Sequence, residues 1–249
     1  MKLLDISYSL GCYLLGVASL TGLILFVGDI YLPWTINVPS PLSPQFEGTT
    51  AVLANFGLVT IWSLQHSVMA DPAFKRAWTR IVPAHLERST YVLFVGLFTF
   101  GMMALWSPLP GVLWDVSGSV LGSTLMAAYL GGWIITLIST FLINHFHLFG
   151  LQQAFKGGGR DGAAGVRFVT PLFYKLVRHP MMTGVLIALW SVPTLTVGRL
   201  TFNLVMSAYI LLGTRHEEKS LVADLGEDYE EYRRTTPMLI PTGRKGAQK

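Results

Sequence analysis

The chain has 249 residues, of which 51% are hydrophobic and 13% are charged, and its formal net charge is +4. Soluble domains carry about 25% charged residues, so this composition excludes an ordinary water-soluble protein and indicates an integral membrane protein in contact with a lipid bilayer. The single cysteine, Cys12, excludes an internal disulfide, and the sequence has no basic soluble domain that would predict a nucleic-acid partner.

Four long runs without Asp, Glu, Lys or Arg come first along the chain. They are residues 6–28, 48–70, 89–114 and 116–144. Each is longer than the roughly 20 residues that a helix needs to cross a bilayer, so we predict four full spans. The first run is not followed by a small-residue cleavage site, and we therefore expect a retained helix and not a signal peptide.

Two shorter apolar runs follow, residues 181–192 and 200–213, with Pro193 and Gly198 between them. A helix of about 14 residues reaches about 21 Å, less than the roughly 30 Å of a hydrocarbon core. We therefore predict a tight C-terminal helical hairpin that is buried against the first four helices. The predicted fold is an all-α, polytopic membrane helix bundle with five to six membrane segments.

Lys and Arg are concentrated on one side of the predicted membrane. All but one of the 18 basic residues lie at the chain ends or in the connections on that side, and the exception is Arg199 at the hairpin tip. The positive-inside rule therefore predicts that both termini are cytoplasmic. An amphipathic cytoplasmic tail helix is predicted by four residues that recur at helical spacing, Leu221, Leu225, Tyr229 and Tyr232.

Polar residues gather at the cytoplasmic ends of the predicted helices. Such positions are informative because polar groups are costly inside a membrane. The segments are QH at 65–66, ERSTY at 87–91, NHFHLFG at 144–150, RHP at 178–180 and RHEE at 215–218. Five helix ends thus bring polar side chains to one membrane level, which predicts a site there.

Each of these groups also has an interpretation that involves no ligand. The alternatives are a helix N-cap at Ser89 or Thr90, interfacial positions for His145 and His147, a membrane anchor at Arg178, and ion pairs of Glu217 and Glu218 with Arg215 and Lys219. A metal site is not expected, because positions 145 and 147 do not share a helix face and no Cys or acidic ligand pattern accompanies them.

The RHP segment supports a more specific hypothesis, namely a ligand-binding site at the start of a helix. Pro180 suits the first turn of a helix, where its missing N–H costs nothing, so His179 stands at the cap and Arg178 just before it. The free N–H groups and positive dipole end of that helix, with a guanidinium beside them, form a site for a carboxylate or phosphate. Glu217 and Glu218, at the far end of the hairpin, supply the opposite charge. S-adenosylmethionine has a carboxylate, an ammonium and a second cationic centre, and it fits this set.

The same residues carry a family resemblance. The segment RHPMMTGV (178–185), followed by EEKSLVADLGEDYEEYRRTTPMLIP (217–241), resembles the C-terminal signature of isoprenylcysteine carboxyl methyltransferases and their bacterial relatives, including phospholipid N-methyltransferases. Three further segments are similar to bacterial methanethiol S-methyltransferases. They are QHSVMADPAFKRAWTRIVPAHLERSTYVLF (65–94), STFLINHFHLFGLQQ (139–153) and FVTPLFYKLVRHP (168–180).

The resemblance implies a single membrane domain over residues 1–249, in a bacterial inner membrane, with N-terminal spans in 6–144 and a cofactor-binding region at about 144–241. It implies methyl transfer from S-adenosylmethionine to methanethiol, a small volatile thiol, giving dimethyl sulfide, with hydrogen sulfide as a further acceptor. The cofactor residues that it implies are Arg178, His179, Pro180, Gly184, Glu217, Glu218 and Tyr229. Of the two glutamates we favour Glu218, because Leu221, Val222 and Leu225 continue its face toward the bundle.

Thiol methylation needs a thiolate in line with the sulfonium methyl group and a site that excludes water. The candidate bases are His66, His145 and His147, and the expected substrate pocket contains Trp62, Gln65, Tyr91, Asn144 and Phe146. Two alternatives stay open: a related methyltransferase acting on a lipid amine or a prenylcysteine carboxylate, and a non-enzymatic haem- or quinone-linked membrane protein. The sequence makes no prediction of the oligomeric state.

Overall fold

The computed structural model describes residues 2–156 and 170–242. Its α-helices are α1 (Lys2–Gly28), α2 (Gly48–Ala70), α3 (Pro72–Trp78), α4 (Glu87–Leu105), α5 (Val120–Ile143), α6 (His145–Leu148), α7 (Leu151–Lys156), α8 (Pro180–Trp190), α9 (Val197–Leu225) and α10 (Glu227–Thr235). A 3-10 turn, Leu172–Lys175, precedes α8, and the strands are β1 (Val112–Asp115) and β2 (Thr194–Thr196). The segment KGGGRDGAAG (156–165) reads as a flexible loop in the sequence, and all of it after Lys156 lies outside the described residues.

Within the described residues, four helices are long and apolar enough to cross a membrane, namely α1, α4, α5 and α9. The predicted all-α membrane bundle is confirmed. Helix α2 has 23 residues, which is also long enough for a span, but it carries Asn55, Gln65 and His66 and is not among these four. Helix α8 has only 11 residues and packs inside the bundle.

The second arm of the predicted hairpin is longer than its apolar run indicates. Helix α9 has 29 residues, about 44 Å at 1.5 Å per residue, and continues well past Gly213. The charged residues 215–225 contain no Pro or Gly and many good helix formers, so nothing interrupts the helix there. The charged part of α9 therefore extends beyond the apolar part as one rigid element.

The third span is shorter than its apolar run. Helix α4 ends at Leu105, just before Pro108 and Pro110, which cannot continue a helix. The chain then forms β1, which pairs antiparallel with β2 in the hairpin tip. This two-stranded sheet was not predicted, and it marks one end of the bundle, which we name the sheet end.

The opposite end, which we name the charged end, is where α1, α4 and α8 begin and where α2, α5 and α9 end. Tyr8 of α1 shares a 2.9 Å hydrogen bond with Thr90 of α4, so these two helices start together. Inside the bundle, α5 and α8 cross at two glycines. A Cβ on Gly132 or on Gly184 would lie 2.5 Å from the carbonyl oxygen of the other, so only glycine permits this close approach.

Candidate active site

A cavity of about 790 Å³ runs from the charged end into the bundle. Its wall at the charged end includes Arg178, Glu217 and Tyr229, and its deepest wall, toward the sheet end, includes Val27 and Phe202. Helices α1, α2, α4, α5, α8, α9 and α10 all contribute residues to it. The cavity therefore joins a polar region to an apolar interior in one continuous space.

One face of α9 forms the acidic part of the charged wall. Glu217, Leu221, Asp224 and Leu225 line the cavity, and their spacing of four, seven and eight residues places them on one side of the helix. The Glu217 side chain is 54% exposed, with Oε2 3.6 Å from Nδ1 of His179. Two carboxylates thus remain available to a ligand at this wall.

Arg178 is buried and holds the start of α8 to the tail of the chain. Its Nε donates to Oε1 of Glu218 at 2.6 Å, and its Nη1 donates to the carbonyl oxygens of Arg233, at 3.1 Å, and Thr236. Its backbone N–H donates to the Pro237 carbonyl oxygen at 2.9 Å. Arg178 lines the cavity, but much of its hydrogen-bonding capacity is used within the protein.

Glu218 lies among basic groups rather than on the cavity wall. Besides Arg178, its carboxylate is 3.2 Å from Nε2 of His179 and 3.7 Å from Nε of Arg233. The structure therefore turns Glu217 to the cavity and Glu218 to the Arg178 pair. The apolar face beyond Glu218 favours this residue for the cofactor contact. In the structure Glu218 is buried, but it pairs with Arg178 and does not line the cavity, whereas Glu217 does.

Three tyrosines cover the charged end. Tyr229 and Tyr232 on α10 and Tyr174 in the 3-10 turn line the cavity, and the Tyr232 hydroxyl donates to the Tyr174 carbonyl oxygen at 2.5 Å. Burial, with the nearby charge of Glu218, raises the pKa of Tyr229 to about 12, and burial beside Glu217 raises the pKa of Tyr174 to about 12. These phenols therefore stay neutral near pH 7.

The interior wall carries an aromatic and imidazole cluster. His66 stacks on Trp62, with ring centroids 5.0 Å apart, and its Nε2 lies 3.0 Å from the Tyr91 hydroxyl. The guanidinium carbon of Arg88 stands 4.5 Å from the centre of the Tyr91 ring. All four residues line the cavity. The sequence assigns Arg88 to the basic side and to the polar ERSTY segment but gives it no role in the site, although its position three residues before Tyr91 on α4 places both on one helix face.

Several other predicted site residues do not line the cavity. His145 bonds Thr140 through Nδ1 at 2.8 Å and Tyr13 through Nε2 at 3.2 Å, and it stacks on Phe141. Burial lowers the pKa of His145, and burial with the charges of Arg88 and Lys156 lowers that of His147. Those absent from the lining are His145, His147, Asn144, Phe146, Gln65, Pro180, Gly184 and Glu218.

Three of these residues have evident structural contacts. Asn144 accepts a hydrogen bond from the His147 backbone N–H at 3.1 Å and so caps α6. Gln65 contacts the Met69 sulfur at 3.2 Å, and Gly184 lies at the close crossing of α5 and α8. Within residues 2–156 and 170–242, no group of three or more His, Cys, Asp or Glu side chains is arranged to hold a metal ion.

Comparison with known proteins identifies the family. No protein-family model matches the chain, and no solved structure matches it significantly. Among curated proteins, methanethiol S-methyltransferase 2 of Bradyrhizobium diazoefficiens is 43% identical over 216 residues, which cover 87% of this chain and 82% of the relative. Methanethiol S-methyltransferase of Crocosphaera subtropica is 42% identical, over 94% of this chain and 90% of the relative's length.

A more distant similarity extends beyond bacteria. Nurim of Xenopus laevis is 27% identical over 193 residues, covering 74% of this chain and 66% of the relative. The bacterial matches are stronger and longer, and they confirm the resemblance that the motifs carry. The chain belongs to the methanethiol S-methyltransferase family.

Proposed function

We propose that this protein transfers the methyl group of S-adenosylmethionine to methanethiol and releases dimethyl sulfide. The observation that carries the proposal is the single cavity with a charged end and an aromatic, aliphatic interior. Its volume of about 790 Å³ is that of a small-molecule site, for which ~300–1,000 Å³ is usual. A charged methyl donor and a small apolar acceptor need these two environments side by side.

The charged end suits the donor's amino-acid portion. Glu217 and Asp224 offer carboxylates to an ammonium group, and Tyr229 closes this end of the cavity. Met181 and Met182, in the first turn of α8, also line the cavity. The N–H groups of a first turn lack intrahelical partners, so together with Arg178 they favour a carboxylate there.

The interior suits a thiol that has almost no polar groups. The bound donor supplies an electrophilic methyl group on a sulfonium. Trp62 and Phe202 provide apolar contacts and help to exclude water. Of the three candidate histidines, His66 is the one that lines the cavity, so we assign to it the interaction with the thiol group. A thiolate and a sulfonium give two neutral products, which an apolar pocket favours.

The charged end belongs in the cytoplasm on this proposal. All but one of the 18 Lys and Arg residues lie in segments predicted for that side, and a cytoplasmic site has access to S-adenosylmethionine. A reporter fused to the C-terminus should be active only when it works in the cytoplasm. Activity of an exported reporter in the same position would contradict this orientation.

The direct test uses the purified protein in lipid nanodiscs with S-adenosylmethionine and methanethiol. We expect dimethyl sulfide in the headspace, at a rate proportional to protein and absent without the methyl donor. Parallel reactions with hydrogen sulfide, phosphatidylethanolamine and farnesylcysteine test the other acceptors. Methylation of the lipid or the farnesylcysteine, with no dimethyl sulfide, would replace methanethiol by another substrate class.

A further inference from the structure

The ring of His66 is held from three sides at the interior wall of the cavity. It stacks on Trp62, and Tyr209 meets it edge-on with ring centroids 6.2 Å apart. The Tyr91 hydroxyl lies 3.0 Å from its Nε2. These contacts fix the plane of the imidazole ring. They involve Nε2 but provide no hydrogen-bond partner for Nδ1.

The Tyr91 hydroxyl decides which nitrogen of His66 carries the hydrogen. In the part of the chain that the structure describes, this hydroxyl has no hydrogen-bond partner except Nε2 of His66. Tyr91 is 5% exposed, and a buried donor left without an acceptor costs about 1–3 kcal/mol. Tyr91 therefore donates, Nε2 accepts, and the imidazole hydrogen resides on Nδ1.

Arg88 reinforces this direction of the hydrogen bond. Its guanidinium stands over the Tyr91 ring at 4.5 Å, and its Nε donates to the Leu148 carbonyl oxygen at 2.6 Å, which holds it in place. A cation over the ring draws electron density from the phenol and makes its hydroxyl a stronger donor. Arg88 also adds positive charge to the wall that His66 shares.

Nδ1 of His66 is buried and has no hydrogen-bond partner among residues 2–156 and 170–242. The ring that carries it lines the cavity. Buried polar atoms in proteins are nearly always paired, and an exception calls for an explanation, such as a catalytic role or a bound water or ion. An N–H group in this position fits an acceptor with negative charge and little bulk.

We propose that His66 binds the substrate sulfur as a hydrogen-bond donor through Nδ1–H, and that Tyr91 and Arg88 are positioning residues that fix its tautomer. The ligand class is a small alkyl thiolate, and the inference rests on the proposed function for the identity of that thiolate. His66 then has no role as a general base, because the nitrogen that we assign to the substrate already carries its hydrogen.

The chemical step balances without proton transfer to His66. The thiol releases its proton to water as it enters the site, and the thiolate sulfur accepts the hydrogen bond from Nδ1. A lone pair of that sulfur forms the new bond to the methyl carbon. The bond from the sulfonium to the methyl carbon breaks, and its electron pair stays on the sulfur of S-adenosylhomocysteine.

The first test is spectroscopic and does not depend on turnover. Long-range proton–nitrogen correlation spectra of the full chain, labelled with ¹⁵N-histidine, distinguish the two imidazole tautomers of each of its six histidines. The signals of His66 are assigned by their loss in His66→Asn. We expect hydrogen on Nδ1 and an acceptor at Nε2, with a shift of Nδ1–H when methanethiol is added. Hydrogen on Nε2 alone, or no response to methanethiol, overturns the inference.

The second test separates a donor from a base by substitution. The amide N–H of Asn lies close to the position of Nδ1, whereas that of Gln reaches the position of Nε2, and neither side chain is a base. We expect His66→Asn to stay within about tenfold of wild-type turnover and His66→Gln and His66→Ala to lose about tenfold to hundredfold more, the range for a hydrogen bond to a charged group. S-adenosylhomocysteine binding confirms that each variant is folded.

The outcomes distinguish the inference from the proposed function. If wild-type protein makes dimethyl sulfide but His66→Asn is as inactive as His66→Ala, the donor role is wrong while the proposed function stands. If wild-type protein makes none, the proposed function is wrong and the thiolate assignment falls with it. Tyr91→Phe should shift the tautomer signal, whereas Trp190→Phe, which changes an exposed tryptophan on α8, should not.

Discussion

Two buried arginines lie at opposite ends of the bundle, and they differ in what surrounds them. Arg178, at the charged end, is 9% exposed, bonds the Glu218 carboxylate and lines the cavity. Arg199, at the sheet end, is 1% exposed and donates to the carbonyl oxygens of Thr194 and, at 2.8 Å, Val27. Among the described residues, no carboxylate lies within ion-pair distance of Arg199.

These different surroundings predict different roles for the two arginines. Val27 lies at the end of α1, where carbonyl groups lack intrahelical donors, so Arg199 satisfies a helix terminus and ties it to the hairpin tip. Arg178 also ties elements together, but it does so beside the cavity and paired with the Glu218 carboxylate. Burial alone therefore does not distinguish the two arginines, whereas their positions do: Arg178 lines the cavity and is predicted to contact a ligand, and Arg199 is not among the lining residues.

Among these variants, we expect Arg199→Leu to cause the largest loss of stability. The substitution leaves the carbonyl oxygens of Val27 and Thr194 without their donor, at about 1–3 kcal/mol for each buried group. Thermal unfolding in nanodiscs should show a clear loss of stability, while the fraction that remains folded binds S-adenosylhomocysteine with wild-type affinity. A weakened affinity with unchanged stability would reverse the roles that we assign to the two arginines.

Arg178→Leu should combine a moderate loss of stability with a loss of ligand affinity. It removes a charge-assisted hydrogen bond worth about 1.5–3 kcal/mol, although His179 and Arg233 remain near Glu218. Unfolding and calorimetric titration of the same sample measure both effects. If the affinity for S-adenosylhomocysteine is unchanged, Arg178 has only a structural role, like Arg199.

Gly184→Ala tests a residue of the family signature that the structure places in helix packing. The added Cβ would meet the Gly132 carbonyl oxygen at 2.5 Å, so α5 and α8 must separate, and overpacking of this kind costs about 1–3 kcal/mol. Gly213→Ala is the matched control, since nothing lies within 4 Å of its added Cβ. Equal stability of the two variants would contradict the close crossing.

The sequence predicts the bundle better than it predicts the site. Long apolar runs and the basic residues between them define the spans, because these signals are local. The length of α9 is not visible in hydropathy, because its last eleven residues are mostly charged or polar and still helical. The β1–β2 pair joins residues about 80 positions apart, and no local sequence pattern predicts this pairing.

Within the site, the sequence places polar residues at the correct helix ends but does not pair them. Arg88, Tyr91 and His66 come from two helices, and their contact depends on how α2 and α4 pack. The choice between Glu217 and Glu218 depends on where the Arg178 side chain lies, which the spacing of apolar residues cannot give.

We propose that the charged end of the cavity binds the methyl donor through Glu217, while Glu218 pairs with Arg178. Calorimetric titration of Glu217→Gln with S-adenosylhomocysteine tests it most directly, with Glu231→Gln as the control, because Glu231 is exposed and pairs with Arg234 at 2.8 Å. We predict an affinity about tenfold weaker for Glu217→Gln, equivalent to about 1.4 kcal/mol, with unchanged stability and an unchanged control. Wild-type affinity in Glu217→Gln would contradict the claim.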